Sequence, residues 1–93
     1  MDYQDTAAKL ADRYLERHGS STDTDWDDGE DEGLCRRTYR GVRIGASWCE
    51  ALGVWTTTVG SNPTGGEADD VEQAQLIAEE YVDAYFATRQ VQL

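Results

Sequence analysis

The chain has 93 residues, with nineteen acidic and eight basic side chains and a formal net charge of −11. This length fits a single domain, and no apolar run approaches the ~18 residues that span a bilayer. The charge excludes a conventional DNA-binding protein, which presents net positive charge to phosphates. No basic-then-apolar leader follows Met1, so we expect a soluble protein that is not exported. Two cysteines are too few for a disulfide framework, so we expect a reducing, cytoplasmic location.

The first predicted element is an amphipathic helix from Asp2 to His18. Asp2 is a suitable N-cap, and Gly19 lies where glycine commonly ends a helix. At 100° per residue, one apolar face gathers six side chains, namely Tyr3, Ala7, Leu10, Ala11, Tyr14 and Leu15.

A strongly acidic loop is predicted for residues 19–33. It carries seven carboxylates between Asp23 and Glu32 and little to bury except Trp26. Mutual repulsion favours an extended, flexible loop unless a cation or a basic surface neutralises it. Trp26 either packs back onto the domain or anchors a partner, and the sequence leaves both readings open.

Within this loop, Asp23, Asp25 and Asp27 match the opening of an EF-hand calcium loop. The match then fails, because Asp28 occupies the glycine position and Leu34 the position of the bidentate glutamate. A solvated tether is therefore favoured over a weak calcium-binding module. As a secondary contact for a partner, the loop offers Asp23, Asp25, Trp26, Asp27 and Asp28.

The middle of the chain, residues 34–60, is rich in β-branched and aromatic residues and predicts three strands. Residues 34–40 form the first strand and residues 54–59 the last, with turns at Gly41 and at residues 50–53. Between the turns, one strand face carries Val42, Ile44, Ala46 and Trp48. The segment 61–66, which contains the only proline, is predicted as a loop.

A second helix is predicted from Asp69 to about Arg89, beginning with a capping-box spacing of Asp69 and Glu72. Its core face contains Val71, Ala74, Ile77, Ala78, Tyr81, Val82 and Tyr85. The predicted fold is thus an α+β domain over residues 1–93, ordered helix, three antiparallel strands, helix, with both helices on one face of the sheet.

The charge is distributed unevenly along the chain. Residues 1–33 hold eleven acids and three bases, a net of −8. Residues 34–60 hold one acid and four arginines, a net of +3, and residues 61–93 hold seven acids and one base, a net of −6. The helices and the loop are therefore anionic, whereas the sheet is cationic.

The acidic face of the second helix is the main candidate contact surface. Two apolar side chains, Leu76 and Phe86, lie within or beside this face, an arrangement typical of a binding hot spot. The predicted carboxylate contacts are Glu72, Glu79, Glu80 and Asp83. The opposing interpretation is a solvated surface that only confers solubility.

The four sheet arginines are Arg36, Arg37, Arg40 and Arg43. Arginines with aromatic neighbours can bind single-stranded nucleic acid, but internal pairing with the many carboxylates is favoured here. Strand alternation places Arg37 with Tyr39 on one face and Arg36 with Arg40 on the other, unless Gly41 twists the strand.

Catalytic motifs are absent from the sequence. His18 is the only histidine, and its position at a helix C-terminus favours a capping role. A hairpin around Gly41 places Cys35 and Cys49 about one register step apart; two partly buried thiols are favoured over a disulfide, and ligand-pair spacing for zinc is lacking. We therefore expect a protein without enzymatic activity, cofactor or metal.

These features predict a non-catalytic interaction protein that inhibits or titrates a basic nucleic-acid-binding protein or ribonucleoprotein. Spaced carboxylates would imitate a phosphate backbone, and their field would steer association. In size and charge the chain resembles the small acidic inhibitors of phages and mobile elements, including DNA mimics and anti-CRISPR proteins. The alternative is a halophile-type domain with a solvation-adapted surface, an interpretation that the single lysine also fits.

Overall fold

The computed structural model describes residues 3–91, and side chains as far as residue 88. The proposed N-cap Asp2 and the side chain of Arg89 lie outside the described residues. The helices are α1, Tyr3–His18, and α2, Val71–Val91. The strands are β1, Leu34–Tyr39, β2, Val42–Cys49, β3, Val54–Val59, and β4, Asn62–Ala68; a 3-10 helix, Gly29–Glu32, precedes β1.

The four strands form one antiparallel sheet in the order β1-β2-β3-β4. Val42, Ile44 and Val59 project from one face of this sheet into a core that α1 and α2 both cover. The predicted α+β class and the placement of both helices on one face are confirmed. No helix among the described residues is long and apolar enough to cross a membrane.

The fourth strand lies where the sequence predicted a loop. Pro63 is tolerated because β4 is an edge strand, whose outward-facing backbone needs no ladder bond. The register shifts between Thr56 and Thr58, where one residue of β3 faces three residues of β4, so the bulge lies in β4. Gly65, within this bulge, has a φ of 90° that other residues rarely adopt.

Two tight hairpins fix the register of the sheet. The loops Arg40–Gly41 and Gly60–Ser61 contain two residues each, and all four residues have positive φ, as a type I′ turn requires. The turn predicted at Gly41 is therefore confirmed, as is the turn after Cys49.

The hairpin register separates the two cysteines more than expected. Cys35 lies opposite Ala46, which places Cys49 three positions further along β2, and both thiols are free. The estimate of one register step was wrong, while the preference for two thiols is confirmed.

The core is built mainly from small helical side chains against branched strand residues. Ala7, Ala11, Ala78 and Val82 are almost fully buried over the sheet. The apolar faces predicted for both helices thus point inward, although Tyr3 at the start of α1 stays half exposed.

Candidate functional site

Two ion pairs join α2 to the first strand and its turn. Arg37 Nη1 lies 2.5 Å from Glu79 Oε2, and both side chains are at least four-fifths buried. Arg40 Nη1 lies 3.0 Å from Asp83 Oδ1 in a more exposed position. The expected internal pairing is confirmed for these two arginines, and the left-handed turn at Arg40 returns its side chain to the helix side of the sheet.

The two pairs are reinforced by aromatic side chains. Tyr39 shares a strand face with Arg37, as predicted, and its hydroxyl donates to Asp83 at 3.0 Å. This hydrogen bond to a carboxylate, followed by burial, raises the pKa of Tyr39. The Arg40 guanidinium lies 4.6 Å from the ring centre of Phe86, which is half buried beneath it.

Trp26 packs back onto the domain. It packs against the core around Ile44 and against a second buried apolar cluster around Ala46, and Nε1 donates to Glu79 at 3.1 Å. Of the two readings left open by the sequence, the packed one is observed. Trp26 therefore joins the acidic loop to α2 and places the loop beside that helix.

The acidic loop runs along β1 and hydrogen-bonds to its edge. Asp23 accepts from the backbone N–H groups of Arg40 and Gly41 at 2.9 and 2.7 Å. Asp27 accepts from those of Gly29 and Arg36. The first and last aspartates of the calcium-like triplet thus accept hydrogen bonds from backbone N–H groups. The described residues contain no group of three or more ligating side chains that could hold a metal ion.

The predicted acidic contacts accordingly fall into two sets. The inner carboxylates bond within the domain and comprise Asp23, Asp27, Glu79 and Asp83. The outer carboxylates are exposed and comprise Asp25, Asp28, Glu72 and Glu80. Helical projection had placed all four α2 acids on one solvated face, whereas the structure turns Glu79 and Asp83 toward β1.

The exposed side of α2 retains an apolar residue between two outer carboxylates. Leu76 is 59% exposed and lies one turn from Glu72 and from Glu80. Of the two predicted apolar anchors, Leu76 is therefore accessible, and Phe86 is partly covered by Arg40 and Tyr85.

Sequence reasoning missed an apolar patch at one end of the sheet, here called the tryptophan end and formed by Trp48, Leu52 and Trp55. Trp48 packs edge-on against Trp55 yet is 43% exposed, and Leu52 in the adjoining turn is 63% exposed. Alternation correctly put Trp48 on the core face of β2. Its exposure arises because it lies near the end of that strand, where the core is not closed over it.

Cys35 and His18 have different surroundings. Cys35 is fully buried, and burial raises the pKa of its thiol, which keeps it protonated at neutral pH. His18 lies in the last turn of α1, and its ring is 4.8 Å from that of Tyr14.

Comparison of the chain with protein-family models, with curated proteins and with solved structures returns no match.

Proposed function

We propose that the protein is a non-catalytic inhibitor that binds a basic nucleic-acid-binding partner through its outer carboxylates, imitating a phosphate backbone. The observation that carries this proposal is the exposed row of Glu72, Leu76 and Glu80 on α2, together with the exposed carboxylates of Asp25 and Asp28 in the loop. None of these four carboxylates makes a hydrogen bond or ion pair with the described residues, so all are available to a partner.

The geometry favours a partner with spaced cations. Glu72 and Glu80 are eight residues apart, or ~12 Å along the helix, which is too far for both to bind one lysine or arginine. Trp26 joins the loop to α2 through Glu79, and the loop adds two further exposed carboxylates, Asp25 and Asp28. A basic groove would meet charges along its length, with Leu76 as the apolar contact at the centre.

Capture followed by competition tests this function. The immobilised protein is incubated with nuclease-treated lysate of its source cells, and bound proteins are eluted with duplex DNA. We expect a basic nucleic-acid-binding protein that DNA releases and that rising salt releases steeply. If no such protein is captured, or if DNA does not release the captured protein, the proposal that the carboxylates imitate a phosphate backbone is contradicted.

A charge-matched pair of variants locates the contact. Glu72→Lys with Glu80→Lys is expected to abolish capture, whereas Asp5→Lys with Glu16→Lys, an equal change of charge on exposed positions of α1, is expected to preserve most of it. Equal loss in both variants would mean that net charge, and not the α2 surface, attracts the partner.

The alternative, a surface adapted to concentrated salt, is distinguished by thermal unfolding across ionic strength. A solvation-adapted domain unfolds at low salt, where its exposed carboxylates repel one another unscreened. The proposed inhibitor remains folded there, because a buried core and intramolecular ion pairs hold its elements together.

A further inference from the structure

The sheet face opposite the helices carries a trough that the proposed function leaves unused. Its volume is about 280 Å³, and its lining includes Arg36, Arg43, Ser47, Thr58 and Ser61. In the strand register these residues surround Gly45, whose partners are Arg36 on one side and Thr58 on the other.

The floor of the trough is Gly45, a position where a larger side chain would not fit. An added Cβ would lie 2.6 Å from Thr58 Oγ1 and 3.5 Å from Arg36 Cγ. The missing side chain lowers the floor of the trough and leaves the neighbouring polar side chains at its rim.

The two arginines of the trough differ from the two that pair with α2. Both ion pairs of the described residues use Arg37 or Arg40, and the guanidinium groups of Arg36 and Arg43 have no carboxylate partner there. The hydroxyls of Thr58 and Ser61 likewise bond to no described residue. Two guanidinium groups and two hydroxyl donors thus face a common space on a protein of net charge −11.

We propose that this trough binds a compact oxyanion of the phosphate class, held by Arg36 and Arg43 and oriented by the hydroxyls of Thr58 and Ser61. Guanidinium groups donate pairs of parallel hydrogen bonds to phosphate oxygens, and hydroxyls supply the remaining donors. The site is on the opposite face from the inner helical contacts and does not depend on the proposed inhibitor function.

Size and composition favour a small anion over a macromolecule. Four strands at ~4.8 Å spacing and six to eight residues in length present on the order of 400–500 Å², below the ~800 Å² per partner of a stable protein interface. The open-face positions of the strands hold no aromatic residue on which a nucleic-acid base could stack. Glu67 on β4 is an acid on this face, but β2 and β3 lie between its strand and the strand of Arg36.

Backbone amide NMR shifts measure binding directly. Inorganic phosphate is titrated into the protein with chloride adjusted to hold the ionic strength constant, and a nucleoside monophosphate is titrated separately. We expect saturable shifts centred on Gly45 and Thr58, with a dissociation constant on the order of a millimolar for an exposed site of few contacts. Tighter binding of the ester than of free phosphate would identify a phosphate monoester as the ligand, and the reverse would identify the free ion; either result supports the site.

Matched variants separate the trough from a general ionic effect. Arg36→Gln with Arg43→Gln is expected to weaken binding about tenfold or more, whereas Arg13→Gln with Arg17→Gln, an equal charge change on α1, leaves it unchanged. Thr58→Val, which preserves the charge, is expected to weaken it less. Linear, non-saturating shifts or equal losses in both double variants would overturn the proposal. The proposal would also be overturned if the molecular mass rose with protein concentration and Arg36→Gln with Arg43→Gln abolished that rise. This result would mean that the open face of the sheet binds a second copy of the chain.

Discussion

The inner and outer carboxylates are the same residue types in the same segments, yet they differ in what they contact. Glu79 and Glu80 are adjacent in sequence; the first pairs with Arg37 and Trp26, and the second faces solvent. The inner set therefore stabilises the docking of α2 and the loop on β1, while the outer set is available to a partner. The net charge of −11 therefore includes inner carboxylates that stabilise the fold and outer carboxylates that are exposed to solvent.

The largest difference in stability between an inner and an outer carboxylate is expected at Glu79 and Glu80. Glu79→Ala removes the partner of a largely buried guanidinium and the acceptor of the Trp26 indole, so we expect the free energy of unfolding to fall by about 2–3 kcal/mol. Urea denaturation measures the change. The matched control Glu80→Ala is expected to stay within about 0.5 kcal/mol of the wild type. Equal effects of the two substitutions would remove the distinction.

A smaller loss is expected within the loop. Asp23→Ala leaves the N–H groups of Arg40 and Gly41 without their side-chain acceptor and should lower the free energy of unfolding by about 1.5 kcal/mol. Asp25→Ala, two residues away in the outer set, should have almost no effect on the same denaturation curve. An Asp23→Ala variant as stable as the wild type would show that these two hydrogen bonds contribute nothing to the stability of the fold.

Tyr39→Phe is expected to lower the free energy of unfolding by about 1 kcal/mol, because it removes the hydrogen bond to Asp83. Because the folded pKa of Tyr39 is raised above its unfolded value, this stabilisation is fully present below the ordinary tyrosine pKa of about 10 and is lost as the pH rises through the folded value. Denaturation of both proteins at increasing pH should show their difference constant to about pH 10 and shrinking above it. A difference that grows with pH would contradict the assigned hydrogen bond.

Much of the fold followed from periodicity. The apolar faces of α1 and α2 and the hairpin at Gly41 depend on local pattern and are observed. The pairing of sheet arginines with acids, predicted from charge balance, is observed for Arg37 and Arg40 but not for Arg36 and Arg43 among the described residues. The fourth strand was missed because Pro63 and Gly65 disfavour a strand locally, and only the edge position makes them acceptable.

The candidate site was less predictable, because its geometry depends on contacts between distant segments. Helical projection placed Glu79 on the solvated face of α2, and its internal contact depends on Arg37, which is 42 residues earlier in the chain. Trp48 was correctly placed on the core face, yet its exposure depends on where the core ends. Contacts between residues far apart in the chain leave no pattern in the sequence of either segment alone.

The measurement that tests the central claim most directly compares the affinity of the captured partner for the wild type with that for two charge-matched variants, over a range of salt. We predict that Glu72→Lys with Glu80→Lys weakens binding by about a hundredfold or more and reduces the salt dependence, with the fold intact, whereas Asp5→Lys with Glu16→Lys changes the affinity only a few-fold. The same affinity for both variants at every salt concentration would contradict the assignment of the outer carboxylates as the partner-binding surface.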